Sequence, residues 1–389
     1  MLIPRNGLLL AAVAVAGAMA LSPARAEDAV KIGLILPMTG PFASTGRQID
    51  GAVKLWMQEH GTTVAGKKIE VLLKDDAGTP DTTRRLAQEL VVNDKVTILA
   101  GFGLTPLALA TVPIATQAKV PELVMAAATS AITEKSPFVI RAGFTLPQIA
   151  APLADWAAKN GIKKVVTLVT DYGPGIDAET WFKKRFTELG GTVPADLRVP
   201  LKNPDFAPFL QKVADEKPDA VFVFVPSGVG SVFMKQFAER GLDKSGIKLI
   251  GTGDVTDDDI LNGMGDVALG VITSFHYSAA HPSAANKAYV AGFEKLNGMR
   301  PNFHSLGGYD GMRMIYAALE KTKGNTDGEA LMKAMEGQSF ESPRGPVTID
   351  PATRDPIQNV YIRKVEKVNG QLWNVEFATI PNVKDPAHQ

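Results

Sequence analysis

Short apolar runs alternate with longer helical stretches along most of the chain, and this alternation limits the folds that are open to it. An apolar run covers residues 30–36, a helical pattern follows over 47–60, and a second apolar run covers 68–74. Apolar runs of this length predict strands that are covered on both faces, as in a parallel sheet. Strands and helices that alternate at this spacing form βαβ units, so the sequence predicts an α/β fold.

The alternation begins again in the second half of the chain, where a helical pattern over 147–160 precedes an apolar run over 164–170. The tail differs, because alternating residues within 345–377 predict antiparallel strands. A chain of 389 residues is long for a single hydrophobic core. We therefore expect two similar α/β halves, with no low-complexity linker between them.

The N-terminus has the pattern of a secretory signal peptide. Arg5 supplies a short positive region, residues 8–21 are uncharged and apolar, and Ala24-Arg25-Ala26 places small residues at a cleavage site. The apolar run is shorter than the roughly 20 residues that span a bilayer. We expect residues 1–26 to be removed and the mature protein to be soluble in the periplasm.

The composition excludes several classes of function. The sequence contains no cysteine, which excludes disulfides, a thiol nucleophile and a lipid anchor on an N-terminal cysteine. It contains 41 basic and 41 acidic residues, and a chain with this balance is a poor partner for nucleic acid.

Three motifs suggest chemistry, but each has a simpler interpretation. Residues 61–67 resemble a phosphate-binding loop, yet they follow a helix and precede a strand, which is the reverse of the required order. Residues 173–178 resemble a dinucleotide fingerprint but lie in the middle of the chain, where a strand-to-helix loop at a cleft edge is expected. Residues 257–259 are three aspartates at a predicted helix start, where acids cap free N–H groups. We therefore expect no catalytic site, cofactor or metal.

Two loops are better candidates for a binding site. Residues 101–106 and 126–130 follow neighbouring predicted strands and combine small residues with hydroxyls. Both loops should lie at the carboxyl edge of the sheet, where open α/β sheets bind ligands. Small residues let the backbone approach a ligand, and helix N-termini favour an anion such as a carboxylate.

An ordered set of short motifs resembles the type I periplasmic solute-binding proteins of the branched-chain amino acid (Leu/Ile/Val-binding) family of ABC transporters. The motifs lie at residues 30–33, 38–41, 74–76, 121–129, 171–173, 218–221 and 307–310, with Gly101 between the third and fourth. Each motif is weak alone, but their order and spacing are specific, and the resemblance covers nearly all of the mature chain.

The resemblance implies two Rossmann-like lobes that are joined by three hinge strands and close on a ligand. The first lobe would comprise residues 27–143 and 276–352, the second 144–275 and 353–381, and residues 382–389 would form a C-terminal tail. The chain would cross between lobes near Gly143, near Phe275, and between Asp350 and Gln358. A protein of this kind is a monomer without enzymatic activity that delivers its ligand to a membrane permease.

The resemblance also implies roles for individual residues. Thr105 would contact the polar end of the ligand, Ala127 and Thr129 would hold its carboxylate, and Tyr172 would close over it from the second lobe. The expected ligand is a small carboxylate, with a branched-chain or hydrophobic amino acid as the first possibility.

Other positions depart from the amino acid binders. These proteins commonly carry an acid that neutralises the ligand's ammonium group, and this chain has Gly253 there, with Asp254 beside it. Phe102 and His304 lie near the predicted cleft edges, where they would suit an aromatic carboxylate or another carboxylate without an amino group. Both ligand classes therefore remain open, as does an amide. A secreted α/β enzyme is the alternative from another class, and a sensor subunit that presents its ligand to a membrane receptor is a third.

Overall fold

The computed structural model describes residues 1–2 and 29–388. Apart from its first two residues, the predicted signal peptide over 1–26 lies outside the described residues, and so does Gln389.

The first sheet is six-stranded, and its strands follow the order β2-β3-β1-β4-β5-β6. They are β1 (Val30–Leu36), β2 (Thr63–Val64), β3 (Lys67–Asp75), β4 (Ile98–Gly101), β5 (Glu122–Val124) and β6 (Val139–Arg141). Only β2 is antiparallel to its neighbour within this sheet. The central strands β1, β4 and β5 are almost entirely buried, as the uninterrupted apolar runs predict.

The second sheet is nine-stranded, and its parallel part continues into antiparallel strands. Its strands are β7 (Val165–Thr170), β8 (Asp196–Val199), β9 (Ala220–Phe224), β10 (Lys248–Thr252), β11 (Ile272–Phe275), β12 (Ser339–Ser342), β13 (Gly345–Ile349), β14 (Pro356–Val368) and β15 (Gln371–Val383). Strands β7 to β11 are parallel, whereas β12 to β15 are antiparallel. The α/β fold with an antiparallel C-terminal part is therefore confirmed.

Helices cover both sheets. They are α1 (Ala43–His60), α2 (Pro80–Glu89), α3 (Thr105–Ala118), α4 (Leu146–Lys159), α5 (Gly173–Glu188), α6 (Ala207–Glu216), α7 (Gly230–Glu239), α8 (Leu261–Met264), α9 (Ala284–Asn297), α10 (Phe303–Lys321) and α11 (Gly328–Met335). Helices α9 and α10 pack on α1, whereas α4 packs on α5 and on the second sheet. We use "first lobe" for the six-stranded sheet with α1–α3, α9–α11 and the strands β12 and β13, and "second lobe" for β7–β11, β14 and β15 with α4–α8.

Strand β14 links the two lobes. At its start, Gln358 is in register with Val347 of β13, and further along Tyr361 is in register with Phe275 of β11. The side chain of Gln358 donates to the carbonyl of Gly143 at 3.3 Å. The carboxyl ends of the parallel strands of both sheets face one another across the space that these connections leave.

Candidate functional site

A cavity lies between the lobes, at the carboxyl ends of the parallel strands. Its walls come from loops that follow strands of both sheets, together with the first turns of α1, α3, α5 and α10. The residues that line it are Phe42, Thr45, Gly103, Leu104, Thr105, Ala126, Ala127, Ala128, Phe144, Leu146, Tyr172, Pro174, Phe224, Pro226, Ser227, Asp254 and His304. A cavity at this edge of two α/β sheets is the expected place for a ligand.

The N-terminus of α3 forms one wall. The backbone N–H groups of Gly103 and Leu104 donate to no other residue in the part of the chain that the structure describes. The hydroxyl of Thr105 lies 2.9 Å from that of Thr129. Free N–H groups at a helix N-terminus, next to hydroxyls, favour an anionic ligand.

Phe102 turns the chain sharply into this helix. It has a left-handed backbone with φ of 67°, a strained conformation for a bulky residue. Its side chain is fully buried in a core cluster with Leu99 and Val124. Phe102 therefore shapes the loop, but its side chain does not line the cavity, contrary to the predicted contact with the ligand.

The loop after β5 is held in place by a buried arginine. Arg141 donates from Nη2 to the carbonyl of Thr129 at 2.7 Å and from Nη1 to the carbonyl of Ala127. Its Nε donates to Asp355 at 2.7 Å, and both side chains are buried. The N–H of Ala127 donates to the carbonyl of Phe102 at 3.1 Å, whereas that of Ala128 has no acceptor among the described residues. Among the described residues the N–H groups of Ala126 and Thr129 also lack an acceptor, so this loop leaves several backbone donors available to a ligand.

The opposite wall begins at Tyr172, which precedes α5. Its ring stacks on that of Phe224, with centroids 6.0 Å apart. A Cβ atom on Gly173 would lie 2.6 Å from the hydroxyl oxygen of Thr129, so a glycine is needed where the two lobes meet. Residues 173–175 form the first turn of α5, and Pro174 lines the cavity.

The position of Gly253 has no room for a side chain. A Cβ atom there would lie 2.2 Å from Nη2 of Arg363 and 2.4 Å from the ring of Phe275. Arg363 is buried and donates to the hydroxyl of Thr273 and the carbonyl of Tyr277. An acidic side chain therefore cannot occupy this position without displacing a buried guanidinium.

Asp254 lines the cavity next to this blocked position. It is 5% exposed and accepts a hydrogen bond from Thr252 at 2.8 Å. Burial raises the pKa of Asp254 to about 7 because it disfavours the charged form. Near neutral pH this carboxyl group can therefore exist in either form, as a hydrogen-bond donor or as an anion.

His304 and a group of aromatic rings complete the lining. Burial lowers the pKa of His304 to about 3, so its imidazole is neutral at physiological pH, and its Nδ1 has no partner among the described residues. Phe144 lines the cavity and packs edge-on against Phe275 at 4.9 Å and against Phe303 at 5.6 Å. Flat aromatic groups of this kind suit a flat apolar ligand body.

Five of the seven predicted binding residues line the same cavity: Thr105, Ala127, Tyr172, Asp254 and His304. Thr129 lies directly behind Thr105, and Phe102 belongs to the core. Sequence reasoning missed Phe42, Thr45, Ser227, Arg141 and Asp355. A polar residue after β9 was a usable signal for Ser227, whereas Arg141 and Asp355 are 214 positions apart and the sequence offered none.

The prediction that Asp257, Asp258 and Asp259 cap a helix is wrong. The next helix, α8, begins after Ile260, and no side chain caps it. The three carboxylates instead accept hydrogen bonds from distant side chains, among them Ser227, Asn374 and Ser44. Tertiary contacts outweigh the local preference of aspartate for a helix start.

One group of side chains within residues 29–388 has the spacing of metal ligands: Asp355, Asp385 and His388. Its carboxylates already accept hydrogen bonds, Asp355 from Arg141 and Asp385 from Ser130. A buried guanidinium beside the carboxylates repels a metal ion, so this is an ion-pair cluster that fastens the C-terminal residues to the first lobe.

Residues 29–371 match the sequence profile of a family described as periplasmic binding proteins, which is most of the chain. The chain belongs to the periplasmic binding protein family. Leu/Ile/Val-binding protein homolog 6 of Brucella melitensis is 43% identical over 364 residues, which are 92% of this chain and 93% of that protein.

Two solved structures resemble this periplasmic binding protein closely. A solute binding protein of an ABC transporter from Rhodopseudomonas palustris BisB5, in complex with 3,4-dihydroxy benzoic acid, is 64% identical with a TM-score of 0.92, covering 93% of this chain and 100% of that chain. A second solute binding protein from R. palustris, in complex with 4-hydroxybenzoate, is 41% identical with a TM-score of 0.90, covering 92% of this chain and 99% of that chain.

The chain is thus a solute-binding protein of an ABC transporter, and its relatives are binding proteins rather than enzymes. Proteins of this type take up a small ligand and pass it to a permease, and the family implies a periplasmic location. No helix among the described residues is both long and apolar enough to cross a bilayer.

Proposed function

We propose that this protein captures a hydroxylated benzoate, or a closely related aromatic carboxylate, for import. The observation that carries the proposal is the blocked position of Gly253, where Arg363 and Phe275 fill the space of a side chain. A ligand ammonium group would find no acid there, and burying an uncompensated charge is unfavourable by several kcal/mol. The relatives solved with 3,4-dihydroxy benzoic acid and 4-hydroxybenzoate support this ligand class.

The first lobe provides a suitable site for the carboxylate of such a ligand. Gly103, Leu104 and Thr105 line the cavity at the N-terminus of α3, and Ala128 lines it from the loop after β5; the backbone N–H groups of Gly103, Leu104 and Ala128 have no acceptor among the described residues. Hydrogen bonds to a charged group contribute about 1.5–3 kcal/mol each. Together with the helix dipole, a few such bonds account for micromolar binding, which corresponds to about 8 kcal/mol.

The second lobe suits the aromatic ring and its hydroxyl groups. Tyr172, Phe224 and Phe144 provide flat apolar surfaces. Asp254, Ser227 and the neutral imidazole of His304 provide polar atoms that can bond with a hydroxyl group. A carboxyl group with a pKa of about 7 can be protonated beside an anionic ligand, which removes the repulsion between two carboxylates.

A branched-chain or hydrophobic amino acid is the second candidate, and the placement of Asp254 favours it. This carboxylate lines the cavity and could pair with an ammonium group although Gly253 cannot carry an acid. The two candidates therefore differ in the charge that they require of Asp254: an ammonium needs it ionised, whereas a benzoate needs it neutral.

Calorimetric titration with 4-hydroxybenzoate, benzoate and leucine tests both candidates on the mature protein and on the Asp254→Asn variant. We expect micromolar 4-hydroxybenzoate binding that the variant retains, because asparagine resembles a protonated aspartate. Binding of leucine that the variant loses would establish the second candidate and refute the first. Failure of all three ligands to bind would contradict both.

We also propose the lobe boundaries, the processing and the mode of action that the family suggests. The lobes would comprise residues 27–143 with 276–352, and 144–275 with 353–381, and would move about the connections near Gly143, near Phe275 and between Asp350 and Gln358. The mature protein would begin at Glu27, act as a monomer in the periplasm, and deliver its ligand to a membrane permease without a cofactor. Residues 384–388 would remain fastened to the first lobe.

A further inference from the structure

A buried aspartate outside the ligand cavity bridges the two lobes. Asp257, which is 1% exposed, accepts hydrogen bonds at Oδ2 from the hydroxyl of Ser227 and, at 2.9 Å, from Nδ2 of Asn302. Ser227 lines the cavity from the second lobe. Asn302 belongs to the first lobe and caps α10, where its Oδ1 accepts from the N–H groups of His304 and Ser305.

The bridge connects two walls of the cavity through a single carboxyl group. His304 lines the cavity from α10, and the position of its backbone is set by the cap that Asn302 provides. Asn302 of the first lobe and Ser227 of the second both donate to Asp257. When the lobes are together, these two hydrogen bonds therefore fix the distance between the two walls of the cavity. A second contact between lobes lies nearby, where Ser44 of α1 donates to Asp259.

The surroundings of Asp257 disfavour its charged form. Its Oδ1 is buried and has no hydrogen-bond partner among the described residues. The charged groups that face it are Asp258 and Asp259 on its own loop, Asp254 after β10, and Arg363 on β14. Burial and the three neighbouring acids raise the pKa of Asp257 well above its ordinary value.

Arg363 and His304 lie nearby, but neither offsets the rise in the pKa of Asp257. The N–H groups of Arg363 donate to Thr273 and Tyr277 rather than to a carboxylate. His304 on α10 has its pKa lowered by burial to about 3, so it carries no charge. At Asp258, the positive charges of Arg363 and Arg300 lower the pKa and so oppose the effect of burial, which raises it. The charge of Asp257 therefore has no direct counter-ion.

We propose that Asp257 is a positioning residue of the closed cleft: it joins the Ser227 and Asn302 walls around the ligand and takes up a proton when the lobes close. This role rests on the proposed function, because it requires that a ligand closes the cleft. In the open form water reaches the carboxyl group, which is then ionised at neutral pH. Closure removes that water and favours the neutral form.

The sign of the pH dependence follows from this change. A group whose pKa is higher in the closed state binds a proton on closure, so ligand affinity is highest below the open-state pKa. Affinity then falls as the pH rises towards the closed-state pKa, by up to about tenfold per pH unit for one proton. Asp254 can also contribute to the fall of affinity with pH. The contribution of Asp257 is therefore the difference in pH dependence between the wild type and the Asp257→Asn variant.

Proton uptake can be measured by calorimetric titration with 4-hydroxybenzoate at neutral pH in phosphate and in Tris, whose ionisation enthalpies differ. We expect the wild type to take up as much as one proton more per ligand than Asp257→Asn. An asparagine at this position can still accept the hydrogen bonds from Ser227 and Asn302, but it carries no charge. Asp266→Asn is the control: Asp266 is an exposed acid of the same lobe that pairs with Lys367 at the surface, so this variant should take up as many protons as the wild type. Equal uptake by the wild type and Asp257→Asn, or equal loss in both variants, would overturn the proposal.

Small-angle scattering of the ligand-free protein separates this proposal from the proposed function. Between about pH 8 and 5.5 the radius of gyration of the wild type should decrease as protonation favours closure, whereas that of Asp257→Asn should stay constant. If 4-hydroxybenzoate does not bind but this difference is present, the proposed ligand is wrong and the role of Asp257 stands. If the ligand binds but neither measurement distinguishes the variant, the role of Asp257 is refuted.

Discussion

Behind the cavity, Arg363 and Phe275 fill the space that a Cβ atom on Gly253 would need. Gly253 sits at the end of β10, in a turn that is entirely buried. Because the guanidinium and the ring are both fixed by packing, neither can move away cheaply. The absence of a side chain at this position is thus required by the packing behind the cavity.

Replacing Gly253 with alanine should lower the free energy of unfolding by about 1–3 kcal/mol, the usual effect of overpacking a core. Urea denaturation of the mature protein would measure it. Gly263→Ala is the control, because a Cβ atom there meets nothing within 4 Å, and it should leave stability unchanged or slightly higher. Equal stability of both variants would show that the space behind Gly253 is not filled as described.

Tyr172 contributes a ring to the cavity but donates no hydrogen bond to another described residue. We expect Tyr172→Ala to weaken 4-hydroxybenzoate binding by at least about tenfold, since it removes the ring that stacks on Phe224. Tyr172→Phe should keep most of the affinity if packing of the ring is what matters. Calorimetric titration distinguishes the two, and a loss as large in Tyr172→Phe would assign the role to the hydroxyl.

Among the elements, the helices that line the cavity begin earlier than their sequences predict. Helix α1 begins at Ala43 rather than near residue 47, and its first turn contains Ser44, Thr45 and Gly46, which are weak helix formers. Ser44 donates to Asp259 of the other lobe, and a Cβ atom on Gly46 would lie 2.4 Å from the carbonyl of Pro37. Contacts with distant segments stabilise this turn, and they are absent from the local pattern.

The loop after β5 depends on β6 and on the start of β14 for its conformation. Arg141 at the end of β6 holds two carbonyls of the loop and pairs with Asp355 next to β14. Burial alone would raise the pKa of Asp355, but Arg141 and His388 outweigh it and hold the pKa below its usual value. The binding loop and a connection between the lobes thus share one buried ion pair.

Arg141→Gln should reduce the free energy of unfolding by about 3–5 kcal/mol, because it leaves Asp355 buried without its partner. It should also weaken ligand binding, because the carbonyls of Ala127 and Thr129 lose their donor. Arg185→Gln provides the control: Arg185 pairs with Asp155 at the surface and is 40% exposed, so its loss should change stability by less than about 1 kcal/mol. Similar urea midpoints for both variants would contradict the role of Arg141.

On the scale of the whole molecule, the two lobes are in contact around the cavity. Asn302 and Asp257 meet across the cleft, as do the N–H of Ser130 and the carboxylate of Asp177, at 3.0 Å. These contacts can form only when the lobes are together, and a ligand that fills the cavity would favour that state.

A ligand that binds only the folded, closed protein should stabilise it. At a ligand concentration of about 100 times Kd, the free energy of unfolding should rise by about 2.7 kcal/mol, which thermal unfolding with and without 4-hydroxybenzoate would detect. The radius of gyration should decrease at the same time. A stabilising ligand that leaves the radius unchanged would mean that closure does not accompany binding.

The sequence by itself determined the class of the fold and the edge of the sheets at which the cavity lies. Buried apolar runs between helices allow few arrangements other than parallel sheets, and loops at the carboxyl ends of such strands converge by geometry. The loops at 101–106 and 126–130, which contain Thr105 and Ala127, could be placed at the cavity for this reason, whereas Tyr172 was predicted there by the resemblance to the family.

Only the tertiary structure decided what the cavity can accept. Three pairs that shape the cavity have members far apart in the chain: Arg141 with Asp355, Arg363 with Gly253, and Asp257 with Asn302. A local sequence pattern carries no information about which distant side chain fills a space or forms a hydrogen bond. Burial also sets the charge of Asp254 and His304, because removal of water changes the relative stability of their charged forms. The place of the cavity is thus a consequence of strand order, whereas the charge and shape of a ligand that it can accept depend on contacts that form only on folding.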